Sequence, residues 1–218
     1  MTKNIKILIL AKSIDGGTGT FSLGMLKLDH VFPKTKIKIK LVSLEKPSYR
    51  KIKGGKIIFF HKPRYYPEKY SFCFKNIKGF LKEILETKKV IAKDLPKMVL
   101  AVGTHANLLG LINKMFFPNL KVLITIHNNL LSTLKEKSSR TTCFVLKKLI
   151  VFWYKKADQI ITVSDGIKKQ LRKNFKLKKV SVVHNGIELP TQKITVKKFP
   201  RQKPCVFSMG RFSKQKDF

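Results

Sequence analysis

Two cations near the C-terminal end of the sequence are spaced to bind a diphosphate. An apolar stretch that ends at Phe207 runs into Gly210-Arg211, and Lys216 follows five residues later. Glycine lets a ligand approach the backbone, and two cations on a turn between a strand and a helix can neutralise two phosphate charges. The pattern therefore predicts a phosphate-binding turn.

A second candidate anion site is the glycine-rich segment DGGTGT at residues 15–20, which follows the first apolar stretch. Its glycines allow close approach to the backbone, and the N-terminus of a following helix favours an anion. The segment is not a P-loop, because no Lys-Ser/Thr pair follows its last glycine. As a dinucleotide fingerprint it is poor, since Ser22 stands where Gly or Ala is wanted. By itself the segment fits a tight turn as well as a binding site.

Histidines lie at the ends of two neighbouring predicted strands. His127 ends one strand, and His105 follows the strand that ends at Val102. The carboxyl ends of parallel strands border the crevice in which such sheets bind ligands, so the two rings predict a polar cleft. The alternative for His127 is simple capping of the strand end. No metal site is expected, because no carboxylate or thiol is near either histidine in the sequence.

The elements that must position these residues alternate between short apolar runs and longer helical patterns. Several runs are apolar on both faces, which is typical of a parallel sheet covered by helices on each side. The predicted strands are Ile5–Leu10, Ile37–Leu44, Ile57–Phe60, Met98–Val102, Val122–His127, Gln159–Ser164, Val180–His184 and Cys205–Met209. The predicted helices are Thr20–His30, Phe74–Lys89, Ala106–Phe116, Thr141–Lys156 and Gly166–Asn174, the last capped by Asp165. This rhythm predicts an α/β fold with a Rossmann-like parallel sheet flanked by helices.

The element pattern also predicts where the domains begin and end. Residues 1–187 hold seven of the eight predicted strands and read as an N-terminal domain. Residues 188–204 carry Pro190, Pro200 and Pro204, as expected of an interdomain linker. Residues 205–218 would then be the start of a second domain.

The helix predicted at Phe74–Lys89 is amphipathic and basic. Its apolar face would carry Ile77, Phe80, Leu81, Ile84 and Leu85, with lysines elsewhere. The ordinary interpretation is a helix packed on the sheet. The alternative is a basic surface that contacts anionic lipid.

The charge balance is the outlier in the composition. The chain has 218 residues, with 47 Lys and Arg against 12 Asp and Glu, a formal net charge of +35. Nucleic-acid binding, attraction to anionic lipid and the lysine usage of an AT-rich genome could each explain it. The spread of lysine along the chain favours the last two. Three widely separated cysteines, Cys73, Cys143 and Cys205, fit a reducing cytoplasm better than a disulfide framework.

Three segments together resemble a known family. They are ADQIITVSDGIKKQL at 157–171, VVHNGIE at 182–188 and SMGRFSKQKDF at 208–218. Their order and spacing resemble the family 4 glycosyltransferases of GT-B architecture, and the glycine-rich segment and ITIHNN at 124–129 match as well. The chain is also similar to bacterial enzymes that build lipopolysaccharide, capsule or glycolipids.

The resemblance implies two Rossmann-like domains that face a cleft, with the acceptor on the N-terminal domain and a nucleotide-sugar on the C-terminal one. It implies a retaining transfer that uses no metal and no cofactor beyond the nucleotide-sugar co-substrate. By position, Gly16 and Gly17 would lie beside the donor diphosphate, which Arg211 and Lys216 would bind. His127 would contact the donor sugar and help to organise the transition state. The residues of the acceptor site or cleft would be Thr18, His105, Asn128, Ser164, Asn185 and Gly186.

The sequence departs from the family pattern in its C-terminal part. It contains the first strand of the second domain but not the paired-glutamate motif that the family uses around the donor. We therefore expect a truncated or incomplete chain that binds an acceptor weakly and has no turnover.

The leading prediction is a glycosyltransferase that acts in cell-envelope polysaccharide or glycolipid synthesis. Its partners would be a nucleotide-sugar donor, a glycan or lipid-linked acceptor and an anionic membrane surface. It would lie in the cytoplasm, peripheral on the inner face of the cell membrane. The alternatives are a basic nucleic-acid-binding module, for which no recognised motif is present, and a dinucleotide-binding Rossmann protein.

Overall fold

In the computed structural model of the chain, the described residues form one sheet of seven parallel strands. The structure describes residues 5–14, 16–31, 37–45, 57–61 and 74–186. The strands are β1 Ile5–Ala11, β2 Ile37–Glu45, β3 Ile57–His61, β4 Met98–Val102, β5 Lys121–Ile126, β6 Gln159–Thr162 and β7 Val180–Val182. The helices are α1 Gly16–Val31, α2 Phe74–Asp94, α3 Thr104–Lys114, α4 Leu130–Lys137, α5 Arg140–Tyr154 and α6 Asp165–Phe175. The predicted α/β class and parallel sheet are confirmed, and all of these elements lie in one compact unit that ends at Asn185.

The strand order, β3-β2-β1-β4-β5-β6-β7, turns back at β1. The chain first builds outward from β1 to β3, and then returns to place β4 on the other side of β1. In a doubly wound sheet, connections on the two sides of such a point run to opposite faces and leave a crevice at the carboxyl edge. The turns after β1 and β4 therefore border the position where this fold binds ligands.

Helices cover both faces of the sheet, and the strands alternate between them. Leu8 and Leu10 of β1 pack with the helices α2 to α6 in the larger core cluster. Ile9 and Ala11 point the other way and pack with α1 in the smaller cluster. Because successive strand side chains point to opposite faces, strands apolar at every position are buried by both helical layers. The uninterrupted apolar runs of the sequence are explained by this double burial.

Several helix ends differ from the sequence-based prediction, and one helix was not predicted. The first helix begins at Gly16 rather than Thr20, so most of the glycine-rich segment is helical and not a loop. An additional short helix, α4, begins after Asn129, whose side-chain oxygen accepts a hydrogen bond from the Ser132 N–H. The prediction that Asp165 caps the last helix was wrong, because Ser164 Oγ accepts the Ile167 N–H and Asp165 is the first helical residue.

Some of the scarce acidic residues join one layer to another. Asp158 accepts hydrogen bonds from Lys114 Nζ at 2.6 Å and from the Val122 N–H at 2.7 Å, which ties α3 to β5. Burial alone would raise the pKa of Asp158, but these hydrogen bonds and the charges of Lys114 and Lys179 outweigh it and hold the pKa below its ordinary value. Asp94 at the end of α2 likewise accepts a hydrogen bond from Lys40 of β2 at 2.6 Å.

The predicted linker at 188–204 and the predicted strand at Cys205–Met209 lie outside the described residues.

Candidate functional site

The N-terminus of α1 lies at the crevice of the doubly wound sheet. It follows β1 directly, and the neighbouring strand β4 ends in a turn at Gly103, which has φ of +90° before α3 begins. That backbone conformation favours glycine and lets the chain reverse at once from strand to helix. The first N–H groups of an α-helix have no acceptor within the helix and carry partial positive charge, so the start of α1 suits an anionic group in the crevice.

The glycines at the start of α1 have different physical roles. A Cβ atom at Gly19 would lie 1.9 Å from the Ile14 carbonyl oxygen, so α1 can pack on the turn that follows β1 only without a side chain there. A Cβ atom at Gly17 would meet nothing within 4 Å. Gly19 is therefore required for packing, whereas Gly17 leaves a free surface that a ligand can approach.

The His127 ring lies on the same side of the sheet as α1. The ring is half-buried and packs edge-to-face on Phe21, with 4.9 Å between the centroids. Phe21 and Gly17 are four residues apart on one helix and share a face, about 6 Å along the axis. The Phe21 contact therefore brings the free surface at Gly17 and the His127 ring to the same side of the crevice.

Thr125 determines which ring nitrogen of neutral His127 carries the proton. Thr125 Oγ1 donates to the Ala101 carbonyl at 3.2 Å and lies 3.1 Å from His127 Nε2. A hydroxyl has one proton, so both hydrogen bonds form only when Nε2 carries the proton and donates to Oγ1. Burial lowers the pKa of His127, which keeps the ring neutral at pH 7. The unprotonated nitrogen is then Nδ1, which can accept a hydrogen bond from a ligand.

We expect Thr125→Val to disturb this arrangement without changing the shape of the side chain. In the parent chain, ¹⁵N NMR of the imidazole should show the Nε2–H tautomer and a pKa below the ordinary histidine value. Thr125→Val should give a mixture of tautomers and a pKa that is lower still, since the charged ring loses an acceptor for its N–H. Thr125→Ser should restore both properties. A dominant Nδ1–H tautomer in the parent chain would contradict the assignment.

A buried polar network fixes the strand end that carries His127. Asn107 of α3 is fully buried and donates to the Thr125 carbonyl at 3.0 Å and to the Tyr154 hydroxyl at 3.3 Å. These contacts join α3 and α5 to β5 just below the crevice. Sequence reasoning missed Phe21, Asn107 and Thr125, and the available signal was a threonine two residues before the histidine, on the same strand face.

His105 lies on the opposite side of the sheet from His127. Its Nε2 is 2.6 Å from Glu83 Oε2, and its ring packs edge-to-face on Phe80 at 5.3 Å. Glu83 is 2% exposed, so the hydrogen bond satisfies a carboxylate that water does not reach. The two histidines follow neighbouring strands, but the structure does not bring their rings together. Acceptor binding by His105 stays a prediction.

The other predicted site residues lie along the carboxyl edge or outside the described residues. Asn128 is exposed beside His127, and Ser164 is used to cap α6. Asn185 and Gly186 are exposed after β7. Thr18 lies in the first turns of α1, and only its backbone is described. Arg211 and Lys216, the predicted diphosphate cations, also lie outside the described residues. Their roles stay predictions.

A side-chain hydrogen bond beside Asn128 joins two helices at this edge. The Asn129 side chain caps α4 and also accepts a hydrogen bond from Gln170 Nε2 of α6.

Among the described residues there is no group of three His, Cys, Asp or Glu that could hold a metal ion. Within the same ranges, no helix has the length and hydropathy needed to span a membrane.

Several solved structures are similar to this chain over most of its length. The lipopolysaccharide outer core galactosyltransferase WaaB has a TM-score of 0.55 at 15% identity, with 86% of this chain and 47% of that chain covered. Sucrose-phosphate synthase from Thermosynechococcus elongatus has a TM-score of 0.59 at 15% identity, with 84% and 48% covered. Anabaena HepE in complex with UDP has a TM-score of 0.53 at 14% identity, with 84% and 45% covered.

These likenesses establish the fold, and the chain spans about half the length of the structures it matches. Other similar structures are UDP-N-acetylglucosamine 2-epimerases, so the fold alone does not decide between sugar transfer and epimerisation. Among curated protein sequences, none matches the chain. The family model for Glycosyltransferase Family 4 matches residues 38–190, which is well over half of the chain. The chain therefore belongs to Glycosyltransferase Family 4.

Proposed function

We propose that the chain forms the acceptor-side half of a retaining glycosyltransferase that uses a nucleotide-sugar donor. The acceptor would be a glycan or lipid-linked sugar of cell-envelope polysaccharide or glycolipid synthesis. The observation that carries the proposal is the neutral His127 ring, with Nδ1 available, on the same side of the crevice as the free surface at Gly17. Family membership supports transfer over the other reactions of this fold.

The two parts of the site have complementary chemistry. The N–H groups at the start of α1 suit the donor diphosphate, whose negative charge grows as the sugar leaves. His127 Nδ1 accepts a hydrogen bond from a sugar hydroxyl and holds the ring of the donor beside the diphosphate. A neutral imidazole is needed for this role, because an imidazolium has no acceptor nitrogen. The predicted cations Arg211 and Lys216 would neutralise the charge of the same diphosphate.

The proposed donor and acceptor classes draw on the similar structures. One of them contains UDP and another is named as a lipopolysaccharide galactosyltransferase. A lipid-linked acceptor would bring the protein to the cytoplasmic face of the cell membrane. The net charge of +35 supports that location, since anionic lipid attracts basic surfaces.

Titration calorimetry with a panel of ligands tests the proposed donor class. The family resemblance assigns the nucleotide pocket to the C-terminal domain, so we expect UDP and UDP-hexoses to bind the 218-residue chain through the diphosphate at the start of α1 and, for the hexoses, through the sugar at His127. NAD and duplex DNA at physiological salt should bind at least about tenfold more weakly. Tighter binding of NAD would favour the dinucleotide alternative, and tighter binding of DNA the nucleic-acid alternative. ¹H NMR can detect conversion of a UDP-sugar to its epimer in the absence of an acceptor. Such conversion would show that the reaction is epimerisation rather than sugar transfer.

A further inference from the structure

The outer face of α5 is apolar and basic and has no acidic residue. Phe144 is 60% exposed and Phe152 is 56% exposed, with Val145 and Leu149 also exposed between them. From Arg140 to Lys156 the sequence has five cations and no carboxylate. Ile150 and Tyr154, on the opposite face of the helix, are buried in the core. The exposed side chains thus form a continuous outer surface, which we call the α5 face.

Lysines surround the aromatic rings of the α5 face. Lys148 Nζ lies 4.5 Å from the centre of the Phe144 ring, and Lys156 Nζ lies 4.5 Å from the centre of the Phe152 ring. A surface groove of about 580 Å³ is lined by Phe144, Val151 and Phe152 and by four lysines, Lys147, Lys148, Lys155 and Lys156. Exposed apolar patches of this kind, rimmed by charge, mark surfaces that bind a partner.

We propose that the α5 face binds the surface of an anionic phospholipid bilayer. The rings and aliphatic side chains would enter the boundary between headgroups and acyl chains, while the lysines would extend to the phosphates. Charge complementarity identifies the occupant, because every charged side chain of this helix and its C-terminal turn is a cation. The proposed function supplies the reason for membrane attachment, but the surface itself is argued from α5 alone.

Single-stranded nucleic acid is the competing ligand for a basic surface with aromatic rings. Such strands stack their bases on open aromatic faces. Here lysine ammonium groups of the same chain lie over Phe144 and Phe152, and aliphatic Val145 and Leu149 separate them. This pattern suits a bilayer better than a row of bases.

Helix α2 offers the matched control surface. Leu81 and Leu85 are 54% and 58% exposed, which is close to the exposure of the two phenylalanines on α5. Unlike α5, however, α2 carries acidic residues, and Glu86 lies 3.8 Å from Lys82 in an ion pair. The alternative drawn from the sequence was that α2 contacts lipid. Substitutions on α2 should weaken vesicle binding if that alternative holds, whereas substitutions on α5 should weaken it if the α5 face binds the bilayer.

Vesicle binding by the full chain separates these surfaces. The probes are vesicles of phosphatidylcholine alone and vesicles that also contain phosphatidylglycerol, with flotation at low salt as the measurement. We expect binding only to the anionic vesicles.

Phe144→Ser with Phe152→Ser should weaken binding to the anionic vesicles at least about tenfold, since each ring loses its apolar burial. Lys148→Gln with Lys155→Gln should also weaken it more than about tenfold, at roughly fivefold per lysine. Leu81→Ser with Leu85→Ser should change it by less than about twofold.

The single tryptophan of the chain, Trp153, is partly buried against the core but packs edge-to-face on Phe152, with 5.5 Å between the centroids, so its fluorescence reports on the edge of the α5 face. Brominated phosphatidylglycerol should quench its fluorescence in the parent chain and much less in the phenylalanine double variant. Equal binding to neutral and anionic vesicles would overturn the proposal, as would loss of binding in the α2 variant but not in the α5 variants. Tighter binding to single-stranded RNA, lost in the phenylalanine variant, would replace it. Because UDP-hexose binding is measured separately by calorimetry, failure here leaves the proposed function intact, and the reverse also holds.

Discussion

Gly19→Ala is expected to destabilise the fold by about 3 kcal/mol, near the upper end of the usual cost of overpacking. The added Cβ would lie 1.9 Å from the carbonyl oxygen and 2.0 Å from the carbonyl carbon of Ile14. Both are backbone atoms of the turn between β1 and α1, so no side chain can rotate to make room. The helix must move away from the sheet, which would open the smaller core cluster around Phe21. Urea unfolding followed by circular dichroism measures the free energy of unfolding.

Gly17→Ala is the control for this prediction. It lies two residues earlier on the same helix and has open space around the added atom. We expect stability to be unchanged or raised by up to about 1 kcal/mol, since alanine favours a helix over glycine. Equal destabilisation by the two substitutions would show that α1 does not pack on Ile14 as described.

His127→Ala is expected to weaken binding of a UDP-hexose about tenfold, which corresponds to the loss of one good hydrogen bond. Binding of UDP itself should change by less than about twofold, because His127 is proposed to contact the sugar and not the nucleotide. Calorimetry on the same protein with both ligands gives the two dissociation constants. The ratio of the constants, rather than either value, tests the role of the ring.

Two further substitutions ask which nitrogen of His127 is used. The amide of asparagine lies near the position of Nδ1, and the amide of glutamine near that of Nε2. Since Nε2 is held by Thr125 at 3.1 Å, His127→Asn should keep part of the sugar affinity and His127→Gln should lose as much as alanine. The reverse order would show that Nε2 faces the ligand and that the assigned tautomer is wrong.

The sheet could be predicted from the sequence because its strands are apolar at nearly every position. Met98–Val102 was predicted with its correct bounds, since burial on both faces leaves an uninterrupted run between polar segments. The short helix α4 was missed because eight residues hold too few turns to show a helical period. The glycine-rich segment was predicted as a loop, although most of it begins α1, because glycine is a poor helix former and the packing that requires Gly19 is not visible in the sequence.

The candidate site was only partly predictable for the same reason. His127 could be located because it follows a strand at the carboxyl edge of a parallel sheet. The contacts of its ring could not be predicted. Phe21 is more than one hundred residues away in the sequence, and Thr125 fixes the tautomer only because its hydroxyl donates to the Ala101 carbonyl. His105 had the same sequence signal as His127, yet its ring packs on α2. Position at a strand end identifies candidates, and packing decides which side of the sheet they serve.

Titration of the ¹⁵N-labelled 218-residue chain with a UDP-hexose shows whether the crevice beside α1 binds the donor. Two-dimensional NMR would follow the Gly17 amide and the His127 imidazole nitrogens together. We expect both signals to shift with one dissociation constant, and UDP alone to shift the Gly17 amide but not His127 Nδ1. A UDP-hexose that binds without moving either signal would contradict the assignment of the donor site to this crevice.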